Sequence, residues 1–77
     1  MLKMTKIQKY ILVDAEGNRT EKTSMSLAQI QTWIQGYISN VGDTICNEAG
    51  DKLGLPVNKA YPQFLGNIII LEKIKIY

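Results

Sequence analysis

Four consecutive apolar residues, Ile68-Ile69-Ile70-Leu71, restrict the folds open to this chain more than any other feature. Successive side chains on a strand point to opposite sides, so an unbroken apolar run predicts a strand buried on both faces. The run opens a closing strand from Asn67 to Tyr77, in which Lys73 and Lys75 alternate with Ile74 and Ile76. That alternation predicts one wet and one dry face further along. One helix can cover only one face of the sheet. A second copy of the chain is therefore expected to cover the other, making the protein a homo-oligomer, since a bare apolar strand invites aggregation.

The helix is predicted over Ser26–Gln35. Ser26 is a natural N-cap, and Gln29 three residues on completes a capping box. Met25 and Ile30 are placed to form a hydrophobic staple across that cap. Leu27, Ile30 and Ile34 fall on one stripe, widened by Trp33 and Tyr37, whose aromatic rings are read first as core. Gly36 is expected to close the helix.

Elsewhere the pattern is extended. Lys6–Asp14 reads as a strand with Ile7, Ile11 and Val13 on one side, interrupted by Lys9. Ala15–Asn18 is a turn, and Arg19–Thr23 a solvent-facing hairpin partner. Tyr37–Asn40 and Thr44–Asn47 form a broken pair of strands around Val41-Gly42-Asp43. Glu48–Asp51 reads as a turn, followed by a short Lys52–Leu55 extension. Pro56 bars a central-strand place there. Val57–Ala60 reads as a helical turn or a loop, and Tyr61-Pro62 as extended. The expected architecture is α+β: one domain over residues 1–77, with four to five mostly antiparallel strands packed on one helix.

Composition removes several chemistries. At 77 residues the chain supports a single core. It has no histidine and one cysteine, Cys46, so neither an internal disulfide nor a cysteine/histidine zinc site can form. The net charge of +2 is scattered. Lys3, Lys6 and Lys9 would be split between the faces of a strand, so nucleic acid is not an expected partner. No apolar run approaches the roughly 18 residues of a membrane span. The first six residues lack a signal-peptide core. A cytoplasmic protein with a reduced Cys46 is expected.

No catalytic motif emerges. Glu48 and Asp51 sit on a turn, where carboxylates are usually just solvated. With Asp43 they miss the spacing of a calcium loop. Gly50 and Gly54 lack the Gly-Lys-Ser/Thr that completes a phosphate loop. No catalytic residue, metal or cofactor is assigned, and the chain is not expected to be an enzyme.

Binding chemistry concentrates between Ile45 and Ala60, the one stretch without simple periodicity. Asn47 and Asn58 carry amides that both donate and accept, as used to read a polar small molecule. The same amides also brace turns by bonding nearby backbone, and both roles stay open here. Lys59 supplies a point charge for phosphate. Tyr37 or Tyr61 could stack on a base.

The residues Ile45-Cys46-Asn47-Glu48-x-Gly50 and Gly54-Leu55-Pro56-x-Asn58-Lys59-Ala60 resemble a family of small proteins of unassigned function carried by phages, prophages and plasmids. Its pattern is roughly I-C-N-E-E-G-x-x-x-G-L-P-x-N-R-A. The segment from Leu27 to Ile38, which contains most of the helix, and Gly66-Asn67-Ile68-Ile69 are similar to the same family. Ala49 replaces an acid, Lys59 an arginine, and Gln35 the first of two glycines. Losing the arginine removes a bidentate fork for phosphate. The resemblance implies a mobile-element setting, in which small oligomeric proteins act against host defences. One route is to sequester a nucleotide immune signal such as a cyclic ADP-ribose derivative. The other is to mask a defence protein, as anti-CRISPR and anti-restriction proteins do.

Overall fold

The computed structural model describes the backbone of residues 5–76 and the side chains of residues 8–72. Five strands and one helix follow in the order β1 (Thr5–Val13), β2 (Arg19–Lys22), α1 (Leu27–Ile34), β3 (Ile38–Val41), β4 (Thr44–Asn47) and β5 (Ile68–Ile76). They form one sheet in the order β2-β1-β5-β4-β3, antiparallel throughout. The α+β architecture expected from the patterning is the one found. No helix among the described residues is long and apolar enough to cross a membrane.

Helix α1 begins as its cap chemistry dictates. The Ser26 hydroxyl accepts from the Gln29 amide at 3.2 Å, while the Gln29 carboxamide accepts from the Ser26 amide at 2.8 Å. Two donors that a helix start leaves unpaired are thereby satisfied. The far end differs from expectation. Gln35, not Gly36, adopts the left-handed conformation (φ 69°), and the amides of both residues donate to the Gln31 carbonyl. The buried stripe is also narrower. Ile30 and Ile34 are buried and Trp33 half-buried, but Leu27 and Tyr37 are exposed. Tyr37 falls beyond the left-handed residue, where the helical phase no longer directs it at the sheet.

The helix covers one face. Ile30 and Ile34 pack with Leu12, Ile45 and Ile69, and with the half-buried Tyr10, Met25 and Leu71. Each fully buried side chain among them contributes roughly 1.5–3 kcal/mol. Side-chain hydrogen bonds fix the docking. The Trp33 indole N–H donates to the Ile68 carbonyl at 3.0 Å, and the Asn67 amide joins Trp33 O to the Ala15 N–H.

The opposite face corrects the expectation that a second chain is needed to cover it. Ile11, Val13 and Ile68 are buried there against Tyr61, Phe64 and Cys46, so the segment between β4 and β5 folds back as a second layer. The apolar run of β5 is thus covered on both sides by its own chain at Ile68 and Ile69. Lys9, which interrupts the apolar row on this face, pairs with Glu21 at 3.2 Å. The alternation of Lys73, Ile74, Lys75 and Ile76 lies outside the described side chains.

Candidate functional site

The stretch from Ile45 to Ala60 is built around two asparagines that repeat one device. The Asn47 carboxamide oxygen accepts from the Ala49 amide at 2.7 Å, and that of Asn58 from the Ala60 amide at 3.0 Å. Each oxygen holds the backbone two residues on, as in an Asx turn. Each Nδ2 then reaches across the molecule. Asn47 donates to the Ile34 carbonyl at 3.0 Å, tying the stretch to the end of α1. Asn58 donates to the Asp14 and Gly66 carbonyls at 3.0 Å and lies 3.4 Å from that of Val13.

Between the asparagines the expected Lys52–Leu55 extension is instead a single helical turn. The Leu53 amide donates to Ala49 O, Gly54 to Asp51 O and Leu55 to Gly50 O. Gly54 closes this turn at φ +68°, the conformation that glycine adopts without penalty. The chain then returns through a small irregular hairpin. Val57 bridges Leu65, the Asn58 amide donates to Phe64 O, and the Gly66 amide to Pro56 O. At Gly66 φ is +74°, where any side chain is strained, and an added Cβ would stand 2.9 Å from Leu55 Cδ1, which would have to shift.

These contacts decide the fate of the residues singled out for binding. Asn58 is fully buried, and its oxygen also accepts from the Tyr61 amide at 3.1 Å. A carboxamide has two hydrogens and two lone pairs. All are taken, so Asn58 is a structural brace and has nothing to offer a ligand. Asn47 is likewise buried, with one hydrogen and one lone pair of its carboxamide engaged. Lys59 is exposed and paired with Glu16, whose hydrogen bond, and then its charge, hold the ammonium above the ordinary lysine range. Tyr61 is half-buried in the second layer, its hydroxyl accepting from Arg19 at 3.4 Å.

The five residues do not converge. Tyr37 and Asn47 line a cleft of about 400 Å³ with Glu48, Lys52 and Leu53. Asn58, Lys59 and Tyr61 instead belong to the seam with the β1–β2 turn, where the Lys59 amide donates to Ala15 O. Glu48 and Asp51 are exposed on the rim of a smaller cleft of about 250 Å³ that also contains Cys46. Burial pushes the Cys46 thiol up, away from the reactive thiolate. Among the described residues no three acidic or cysteine side chains cluster as metal ligands.

A different cleft, about 410 Å³, opens between α1 and the β1–β2 hairpin. Leu12, Met25 and Ala28 supply its apolar lining and Trp33 an aromatic wall. Its polar groups are mostly engaged: Thr32 donates to Ala28 O, Gln29 caps the helix, and Asn67 bridges Ala15 and Trp33. Lys22 is the one charged residue in this lining. The available sequence signal was Trp33 at the margin of the helical stripe, where a large ring is part core and part wall. Lys22 gave none, because a lysine on an exposed strand is ordinary.

Comparison with protein families, curated proteins and solved structures returns no match for this chain.

Proposed function

We propose that this is a non-enzymatic binding protein that captures a small planar anion of the nucleotide class in the cleft between α1 and the β1–β2 hairpin. In the mobile-element setting that the motif resemblance implies, the role is to sequester a nucleotide immune signal in the host cytoplasm without cleaving it. The observation that carries this reading is the pairing of Trp33 with Lys22 around an apolar floor. An indole held by its N–H to β5 offers a preset stacking surface. A lysine suits a phosphate as a point charge. The cleft volume lies in the range of small-molecule sites.

Calorimetry and Trp33 fluorescence against cyclic nucleotides and ADP-ribose derivatives test the proposal. The expected result is saturable quenching, with the nucleotide recovered intact and Lys22→Glu weakening binding at least about tenfold, as for loss of a charge-assisted contact. No heat and no quenching from any of them, with the chain folded, would sink the reading. A second reading is a protein-binding inhibitor of a defence complex. It is supported by the exposed Leu27, Tyr37, Val41, Leu53 and Val57. One stoichiometric protein retained from host lysate by a Lys22→Glu variant would favour it.

A further inference from the structure

The sheet has two edges of opposite character. Edge strand β2 carries Arg19, Glu21 and Lys22 in four residues, the charged finish that discourages strand addition. Edge strand β3 reads Ile38-Ser39-Asn40-Val41, with no charge and no proline, and pairs with β4 without a bulge. Its hydrogen-bonding phase is set by two observations. Val41 faces Thr44 across a two-residue turn, and the Glu48 amide donates to the Tyr37 carbonyl at 3.0 Å. Hydrogen-bonded pairs alternate along an antiparallel ladder. Tyr37, Ser39 and Val41 therefore direct their backbone groups at β4, and Ile38 and Asn40 direct theirs outward.

Two of the exposed large hydrophobic residues flank this edge symmetrically. Tyr37 is 78% exposed and Val41 54%, each two residues from Ser39 and on the same side of the sheet. We infer that β3 is a self-association edge, where two copies pair antiparallel about a two-fold axis through Ser39. In that register Ile38 of one copy meets Asn40 of the other, twice, exchanging four N–H···O bonds. Tyr37 stands opposite Val41 of the second copy, also twice. These are the non-hydrogen-bonded positions, where side chains approach most closely. The same register satisfies the free backbone groups and covers both apolar side chains, and no like charges meet along β3. The result is one continuous sheet of ten strands, five from each copy. The α1 cleft is lined by none of these residues, so this inference stands apart from the ligand proposal.

Sedimentation velocity of the full chain over a concentration series tests the pairing. The expected species is a dimer at twice the 8.7 kDa chain mass. Tyr37→Lys with Val41→Lys sets lysines opposite one another and should weaken dimerisation at least about tenfold, since like-charge juxtaposition costs several kcal/mol. Tyr37→Lys with Val41→Glu sets opposite charges in the same places and should restore it. Both positions are exposed, so circular dichroism should report an unchanged fold. A monomer throughout the series overturns the inference, even where β3 captures a strand of another protein. A dimer indifferent to the paired lysines overturns it too, as does failure of the lysine–glutamate pair to restore association.

Discussion

The two faces of the sheet are covered by different means. On one side α1 buries Ile30 and Ile34 against Leu12, Ile45 and Ile69. On the other an irregular segment buries Ile11, Val13 and Ile68 with Tyr61 and Phe64. A helix pairs its own backbone, so it needs only an apolar stripe and good caps to serve as a layer. A loop in the same position has backbone groups that no regular ladder satisfies, and burying them unpaired is costly. Asn47 and Asn58 supply what the helix has by construction. Apolar burial holds both layers, and carboxamides serve both, but in the irregular one they satisfy the layer's own backbone, whereas on the helical side they cap and dock an element already paired within itself.

That contrast can be broken most sharply at Asn58. Asn58→Ala removes the groups serving the Ala60 and Tyr61 amides and the Asp14 and Gly66 carbonyls. At about 1–3 kcal/mol for each buried group left unpaired, the loss should reach about 4 kcal/mol and exceed that of Ile34→Ala, about 3 kcal/mol. Urea unfolding of both variants measures the two layers on one scale. A cost below about 1 kcal/mol for Asn58→Ala would show that the amide network does not hold the irregular layer.

A smaller effect, of opposite sign, is expected on the helical side. Gln35 is exposed and held at φ 69°, a conformation unfavourable for residues with a Cβ. Gln35→Gly should stabilise the fold by about 1 kcal/mol, seen as a raised urea midpoint at unchanged slope.

The smallest effect is one of pH. The Asn18 backbone amide, and then its side chain, hold the Asp14 carboxylate below its ordinary range. Its contribution is therefore complete above the ordinary carboxylate pKa and is lost as pH falls through the lowered value. Asn58, Lys59 and Asn67 all dock on the backbone of Asp14 and Ala15. Acid should thus loosen the irregular layer before the helix. Hydrogen exchange on either side of about pH 4 measures this; Asn18→Ala, which keeps the backbone amide and loses only the side-chain bond, should narrow the difference, and Asp14→Asn should remove it.

The helix and the paired strands were legible because their periods are local. Ser26 and Gln29 announce the cap, and the apolar run of β5 announces a doubly covered strand. What covers the second face was not legible, since no period marks Tyr61 or Phe64 as inward. Asn58 illustrates the ambiguity of polar residues. Its amide suits a ligand or a brace equally well, and only the carbonyls of Val13, Asp14 and Gly66, contributed by distant segments, decide for the brace. Tyr37 misled for a related reason. The helical phase places it on the stripe, but one left-handed residue, Gln35, resets the chain direction before it.

The position of β5 bears on how the fold can be reached. It follows the other described strands in sequence, yet it lies between β1 and β4, so the two hairpins share no edge until it arrives. Val13 pairs with Ile68, 55 positions later (68 − 13). Closing so long a loop costs entropy before any contact returns it, and such non-local topologies fold slowly. During synthesis the β1–β2 hairpin and α1 must therefore wait as separate pieces with apolar faces uncovered. Assembly of the sheet therefore waits for β5, the strand that joins the two hairpins.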